Sequence, residues 1–175
     1  CNHLRNIRCD NGIVTYPTRL HYFSYWIEQN TLTGIVREIV PQDSSVTEDS
    51  EYDIYYMSSN PEKYPALRKD TSLIDDIAEM EKYFDGKTYR YIPKAKLKNP
   101  ESLQAYIKDG DIIAIVTNKK GLDISHIGFA AWHKGNLHLL NASSIHKKVV
   151  EEPMSLYKYM MRHPSQTGIR IIRVL

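Results

Sequence analysis

The sequence has few cysteines, no long apolar run and no strong excess of either charge. Its two cysteines, Cys1 and Cys9, are too few for the disulfide framework of a small secreted domain. No apolar run approaches the roughly 20 residues that a membrane-spanning helix needs. The net charge is +2 and the basic residues are scattered, which gives nucleic-acid binding little support. What remains is an ordinary globular composition in 175 residues, enough for one domain with a substantial core.

Several common catalytic motifs are also absent. HExxH and paired CxxC motifs, which supply zinc ligands, do not occur, and neither does a glycine-rich phosphate loop. A GxSxG elbow for a serine nucleophile is missing, and no pair of carboxylates stands out for glycoside hydrolysis. We therefore expect neither a metal nor a cofactor. A zinc site built on His126 stays open as the weaker alternative.

The segment Gly110–Ser144 is notable for three apolar runs separated by turn residues, with His126 in the middle of the second run. Burying an imidazole among apolar side chains is unfavourable unless a hydrogen-bond partner satisfies it. His126 is therefore either a satisfied structural residue or the best functional candidate in the chain. Its neighbours decide between the two.

The turn residues Lys134 and Gly135 suit a two-residue hairpin loop. Such a loop pairs His133 with Asn136 and, continuing the register, brings Gly128 opposite Asn141. His126 then lies on the same face as Asn141, two residues further along, at about 7–8 Å between Cα atoms. Gly128 would leave space between the two side chains. A three-residue loop would instead turn Asn141 to the other face.

Hydrophobic periodicity and turn residues predict an α+β fold in which helices precede a mainly antiparallel sheet. The segment Pro41–Ser50 is polar and is predicted to be an exposed loop. The predicted helices are the segment ending at Arg8, a helix capped by Thr18 with Leu20, Phe23 and Ile27 as its apolar stripe, Ser72–Phe84, Glu101–Lys108 and Met154–Met161. The predicted strands are Gly34–Val40, Asp53–Met57, Tyr89–Ile92, the three runs of Gly110–Ser144, Val149–Val150 and Gly168–Val174.

Three segments combine Gly-Asp before an apolar strand, a histidine in a Ser-His-x-Gly strand, and a polar residue before Ala-Ser. They are Gly110–Ile113, Ser125–Gly128 and Leu139–Ser144. Together they resemble the corresponding strands of the NlpC-type papain-like cysteine peptidases. Further motifs are spread over nearly all of the chain: Arg19–Phe23, Tyr56–Ser58, Tyr64–Leu67, Tyr91–Lys94 and Gly121–Asp123. These resemble the N-acetylmuramoyl-L-alanine amidase-like branch found in bacteria, including gut Bacteroidetes.

The resemblance implies a single papain-like amidase domain over residues 1–175, with helices packed on an antiparallel β-sheet. It implies hydrolysis of an amide bond in a peptidoglycan fragment, a muropeptide, between the muramic acid lactyl group and L-alanine. In that chemistry a cysteine thiolate attacks, His126 is the base and Asn141 orients the imidazole. The resemblance also implies a bacterial protein that is periplasmic or secreted.

The nucleophile of that family is a cysteine in an Asp-Cys-Thr-like motif at a helix N-terminus. The motif precedes the segment that matches Asn2–Asn11, and it does not occur in these residues. Cys9 stands where an aromatic residue is usual, so we expect it to be structural, and Cys1 is a weak alternative nucleophile. Because the chain opens with Cys1 and lacks a signal peptide, it is expected to be either a processed product or a fragment. We favour a truncated chain that is inactive alone, with its nucleophile upstream.

The candidate substrate-binding residues are Tyr16, Arg19, His21, Tyr22 and Trp26. Aromatic rings suit sugar faces, and an arginine suits a peptide carboxylate. The alternative for this segment is a surface helix with an aromatic rim. Tyr91 and Lys94 are further candidates for the border of the same cleft.

The rival function belongs to another class. It is a non-catalytic module that binds cell-wall fragments or a partner protein and keeps the groove without a cysteine. An Asp-Cys-Thr-like stretch upstream of Cys1 would favour the enzyme, and its absence would favour the binding module.

Overall fold

An antiparallel β-sheet forms the centre of the protein, for which a computed structural model describes residues 2–175. In this part of the chain there are five α-helices and eight strands. The helices are α1 (Asn2–Arg8), α2 (Phe23–Leu32), α3 (Pro65–Lys69), α4 (Leu73–Lys82) and α5 (Leu156–Met161). The strands are β1 (Val36–Ile39), β2 (Glu48–Glu51), β3 (Thr88–Pro93), β4 (Ile112–Thr117), β5 (Ile124–His133), β6 (Asn136–Ser143), β7 (Lys148–Glu151) and β8 (Gln166–Val174).

The strands pair in the order β2-β3-β8-β4-β5-β6-β7, and β1 adds to β8 beside β3. All of these pairings are antiparallel. Strand β8 is central because β4 lies along one edge while β1 and β3 share the other. The α+β class predicted from the sequence is therefore confirmed.

The central strands are covered on both faces. Ile113 and Ile115 of β4 belong to a core cluster that includes Leu156 and Met160 from the α5 region. Ala114, between them in sequence, belongs to a different cluster with Ile27 of α2. This is the alternation expected of a strand whose successive side chains point to opposite faces. No helix within residues 2–175 has both the length and the hydropathy needed to cross a membrane.

The hairpin of β5 and β6 has the predicted two-residue loop. Lys134 and Gly135 both have positive φ angles, 49° and 79°, as the favoured hairpin turn requires. His133 pairs with Asn136, and the pairing continues as far as Phe129 with Leu140. The three-residue alternative is excluded.

Two predictions between residues 41 and 57 were wrong. The segment predicted as a loop contains the start of β2, which pairs with β3, and Asp53–Met57 is not a strand. The segment Asp53–Met57 is not a strand because its backbone N–H groups are bonded to other parts of the chain. The amides of Tyr55 and Tyr56 both bond the carbonyl of Gly121, and the amide of Met57 bonds the hydroxyl of Tyr22. These donors are therefore committed to other segments and not to a strand ladder.

The start of the second helix was also misplaced. Thr18 does not cap it, because the Thr18 hydroxyl bonds the carbonyls of Ile13 and Thr15 in a turn. Helix α2 begins at Phe23. The segment Glu101–Lys108, predicted as a helix, contains the end of a short 3-10 helix, Pro100–Leu103, followed by turns.

The register of β6 predicts a large difference between two adjacent leucines. Leu139 is fully buried, whereas Leu140 is 36% exposed. We expect Leu139→Ala to lower the free energy of unfolding by about 2–5 kcal/mol, because it leaves a cavity in the core. Leu140→Ala, the matched control, should cost less than about 1 kcal/mol. Urea unfolding measures both, and equal losses would contradict the register that governs the position of Asn141.

Candidate functional site

The side chains of His126 and Asn141 meet, as the hairpin register predicted. Nε2 of His126 lies 2.9 Å from Oδ1 of Asn141, a hydrogen-bond distance. His126 is half-buried on β5, and Asn141 is buried on β6. The imidazole is therefore satisfied by a polar side chain from the neighbouring strand.

Two local irregularities of β5 flank His126 and influence where its side chain lies. The pairing with β4 shifts between Ile115–His126 and Val116–Ile124, so Ser125 is an extra, bulged residue. At Gly128, a Cβ atom would lie 2.7 Å from both Leu139 Cδ1 and the Leu140 carbonyl oxygen. Gly128 thus lets the two strands approach closely. That Gly128 also leaves space between His126 and Asn141 stays a prediction.

A buried glutamate completes the arrangement behind Asn141. Nδ2 of Asn141 donates to Oε1 of Glu152 at 3.0 Å, and Glu152 is 4% exposed. The other carboxylate oxygen of Glu152 lies 3.7 Å from Nε2 of the exposed His146. Burial, with the negative charge of Glu152 adding to it, raises the pKa of Tyr159 above its ordinary value. The site is therefore a chain of contacts from His126 through Asn141 to Glu152.

A cavity of about 390 Å³, the His126 cavity, opens beside the imidazole. One wall comes from the start of α2, with His21, Tyr22 and Phe23. Met57, Tyr64 and the residues from Leu122 to Ile127 also line this cavity. This concave space is the natural place for a substrate beside His126.

The wall formed by α2 is fixed by Asp123. Its Oδ2 accepts a hydrogen bond of 2.8 Å from the backbone amide of Ser24, and it is buried. Tyr22 occupies the position before the helix but supplies no capping hydrogen bond from its side chain. Asp123 therefore does the work of a helix cap from a distant part of the chain.

A second, larger cavity of about 950 Å³, the apolar cavity, lies along the other side of the hairpin. It reaches Gly128 and Asn141, and Arg19 and Trp26 also line it. Ile127, Phe129 and Leu140 contribute apolar surface there, and each remains well exposed.

The predicted substrate-binding residues divide between these two spaces. Arg19 and Trp26 line the apolar cavity, Tyr22 lines the His126 cavity, and His21 lines both. Tyr16 lines neither of them, and it packs against the cluster of buried residues around Phe84.

Two of these candidates have polar atoms that are already engaged. Nε2 of His21 is 2.8 Å from the carbonyl of Tyr16, and burial lowers the pKa of His21. Tyr22 is 3% exposed, and its hydroxyl donates to Glu81 at 2.6 Å. Burial and this bond raise the pKa of Tyr22. Tyr22 can therefore offer a ligand its ring but not a free hydroxyl.

Tyr91 has mainly a packing role. Its hydroxyl donates to Glu48 at 3.1 Å. Its ring lies against Gly168, where a Cβ atom would collide with it. Neither Tyr91 nor Lys94 lines the two cavities.

No thiol of the described residues is paired with His126. Cys9 is 7% exposed and forms an isolated bridge with Arg19, as expected of a structural cysteine. Cys1, the alternative nucleophile, lies outside the described residues. Over residues 2–175, no three His, Cys, Asp or Glu side chains converge as a set of metal ligands.

Glu152 was missed by the sequence reasoning. It follows Glu151, and the two look equivalent in the sequence. Glu151 is exposed and pairs with His133 at 2.7 Å, whereas Glu152 is buried. Nothing in the sequence distinguishes the two, because the pairing of β6 with β7, in which Val150 lies opposite Asn141, decides which one is buried.

The chain matches the AmiA-like family, described as N-acetylmuramoyl-L-alanine amidase-like, over residues 1–169. It is similar to the crystal structure of an N-acetylmuramoyl-L-alanine amidase from Bacteroides uniformis ATCC 8492, with 36% identity and a TM-score of 0.92; the match covers 99% of this chain and 73% of that one. A Bacteroides fragilis protein, provisionally described as a xylanase, is 39% identical with a TM-score of 0.91, over 99% of this chain and 74% of that one. A Legionella pneumophila protein is 25% identical with a TM-score of 0.67, over 98% and 67%. No curated protein matches.

The bond between Asp123 and Ser24 predicts that the wall of the His126 cavity depends on a single carboxylate. We expect Asp123→Ala to lower the free energy of unfolding by about 1–2 kcal/mol, because the start of α2 loses its cap. Asp123→Asn keeps a side-chain oxygen and should cost less. Urea unfolding of both variants measures the difference. Equal losses, or none in Asp123→Ala, would show that this carboxylate does not cap α2.

Proposed function

We propose that this chain, which belongs to the AmiA-like family of N-acetylmuramoyl-L-alanine amidase-like proteins, carries the base of a cysteine amidase that cleaves muropeptides. The observation that carries the proposal is the hydrogen bond between Nε2 of His126 and Oδ1 of Asn141. An imidazole held by a neutral amide is the arrangement that thiol hydrolases of the papain type use. By resemblance to that superfamily, the proposed fold is one papain-like, NlpC-type domain.

The proposed reaction passes through a thioester. His126 first takes the proton of a cysteine thiol, the resulting thiolate attacks the carbonyl carbon of the amide, and backbone amides near the sulfur stabilise the oxyanion. The carbon–nitrogen bond then breaks as protonated His126 gives a proton to the leaving amine. Water next attacks the thioester, His126 takes a proton from it, and the acid and the thiolate are released. His126 thus acts first as base toward the thiol, then as acid on the leaving amine, and again as base when water attacks the thioester.

Asn141 supports these proton transfers because it determines which ring nitrogen of His126 carries the proton. A neutral imidazole has one N–H and one lone pair. Because Oδ1 of Asn141 can only accept, the proton of His126 belongs on Nε2, and the lone pair is left on Nδ1. Nδ1 is then the atom that exchanges protons with sulfur, amine and water. Asn141 itself contacts neither the sulfur nor the substrate in this scheme.

The thiolate is proposed to come from outside residues 2–175. Cys9 is buried and makes no hydrogen bond to His126, whose partner in the described chain is Asn141. The solved relatives contain further residues, since this chain covers 72–74% of the Bacteroides proteins. A non-catalytic binding module is the alternative, favoured by the same lack of a thiol beside His126 among the described residues.

Glycoside hydrolysis has less support, although one relative is described as a xylanase. A glycosidase generally needs two carboxyl groups about 5–9.5 Å apart across the bond that breaks. Among the described residues that line the two cavities, Asp123 is the carboxylate. Its Oδ2 is engaged with the amide of Ser24. The site therefore favours an amidase.

The substrate and location follow from the same proposal. The His126 cavity would hold the scissile amide, and the exposed Arg19 would face a carboxylate of the peptide. Because peptidoglycan lies outside the cytoplasmic membrane, we propose a periplasmic or secreted location.

The test uses the product of the whole gene and a defined muropeptide carrying an N-acetylmuramoyl-L-alanine bond. We expect release of the L-alanyl peptide, detected by mass spectrometry, and loss of this activity after treatment with iodoacetamide. His126→Ala should abolish turnover. Asn141→Ala should lower kcat by about 10²- to 10⁴-fold with a much smaller change in KM, because the imidazole loses its orientation.

His133→Ala is the matched control, since His133 is an exposed histidine on the same hairpin. It should retain full turnover. Activity that survives alkylation would exclude a thiol mechanism. Binding of the muropeptide without cleavage would favour the non-catalytic module, and unchanged turnover in Asn141→Ala would exclude Asn141 from the site.

A further inference from the structure

We propose that Glu152 is a positioning residue that fixes the orientation of the Asn141 amide and thereby the tautomer of His126. The geometric part of this inference concerns the chain alone. Its consequence for turnover rests on the proposed function.

Glu152 is held rigidly next to β6. Its backbone amide donates to the carbonyl of Leu139 at 2.9 Å. Its own carbonyl is 3.0 Å from Nδ1 of His138. The main chain of Glu152 is thus bonded on both sides, and the residue is 4% exposed. A buried carboxylate is costly unless polar groups satisfy it, and Asn141 is its close donor.

The carboxylate of Glu152 determines which end of the Asn141 amide faces His126, whereas the amide alone could take either orientation. The two ends of an asparagine side chain have nearly the same shape, so a neighbouring histidine could accept from Nδ2 as readily as donate to Oδ1. An ionised carboxylate can only accept. Glu152 therefore holds Nδ2 toward itself at 3.0 Å, which leaves Oδ1 facing His126. The carbonyl of Val150 is a second acceptor for Nδ2, but it is more distant, at 3.4 Å.

The orientation of the amide determines where the proton of His126 lies. With Oδ1 facing it at 2.9 Å, neutral His126 must donate from Nε2 and keep the lone pair on Nδ1. If the amide were reversed, Nδ2 would donate to Nε2, and the proton would move to Nδ1. That tautomer could not accept a proton from a thiol at Nδ1. One buried carboxylate thus keeps the histidine in the form that the proposed reaction needs.

The negative charge of Glu152 has a second effect. Asn141 offers the imidazolium that forms during the reaction a hydrogen-bonding dipole but no charge. Glu152 supplies a charge one hydrogen bond further away, in a buried position where polarisation along the chain is stronger than in water. Its outer oxygen lies 3.7 Å from Nε2 of the exposed His146.

The first experiment needs no activity. In the product of the whole gene labelled with ¹⁵N, long-range ¹H–¹⁵N spectra of neutral His126 report which ring nitrogen carries the proton. We expect the Nε2–H tautomer in the wild type and in Glu152→Gln, whose carbonyl oxygen can still accept from Asn141. Glu152→Met keeps the volume but removes the acceptor, and it should yield a mixture containing the Nδ1–H tautomer. Glu151→Met, on the adjacent exposed residue, is the matched control and should match the wild type.

Two results of this experiment would overturn the proposal. One is the Nδ1–H tautomer in the wild type, which needs no variant and so stands even if Glu152→Met fails to fold. The other is an unchanged Nε2–H tautomer in folded Glu152→Met. Neither result depends on turnover. Each would therefore overturn the role of Glu152 without bearing on the proposed amidase function.

The second experiment measures kinetics in the product of the whole gene. We expect Glu152→Met to lower kcat by about 10- to 100-fold with KM within about threefold, and Glu152→Gln to restore kcat to within about threefold of the wild type. Because Glu152 acts through Asn141, Glu152→Met should have no further effect in an Asn141→Ala background. An equal loss in both backgrounds would overturn the positioning role, whereas an inactive wild type would overturn only the proposed function.

Discussion

The two-residue turn at Lys134 and Gly135 is the constraint on which the site depends. Both residues adopt positive φ angles, and this turn fixes the register of β5 against β6. Successive side chains of a strand face opposite sides, so a shift by one residue would turn Asn141 away from His126. The same register buries Leu139 and exposes Leu140. The same turn therefore determines both the contact between His126 and Asn141 and the burial of Leu139 in the core.

The features that the sequence predicted correctly depend on short-range signals. A lysine and glycine between two apolar runs predicted the hairpin, and the hairpin predicted the meeting of His126 with Asn141. The amphipathic helix α4 and the last strand β8 were predicted for similar reasons, since each has its own periodicity. The features that the sequence did not predict depend on partners that are distant in the chain. The start of α2 is capped by Asp123, 99 residues after Ser24, whereas Thr18 offered a plausible local cap that the chain uses in a turn.

Buried charges could not be predicted at all. Glu152 is indistinguishable from Glu151 in the sequence, and only the packing of β7 beyond β6 decides which one is buried. Arg170 lies in an apolar strand, and its guanidinium donates to Glu38, 132 residues earlier, at 2.6 Å. Such groups are tolerated because their partners are already in position. The partners come from other elements, so hydrophobic periodicity carries no information about them.

The family and the site lead to one account of function. The chain belongs to a family of N-acetylmuramoyl-L-alanine amidase-like proteins, and its hairpin holds a histidine in hydrogen-bond contact with an asparagine. The central claim is that His126 serves a cysteine that forms a thioester with the substrate. Acid quenching of the whole gene product during turnover, followed by peptide mass spectrometry, tests this directly. The account predicts a substrate-derived acyl group on one cysteine that is absent in His126→Ala. Turnover without any acylated cysteine would contradict it.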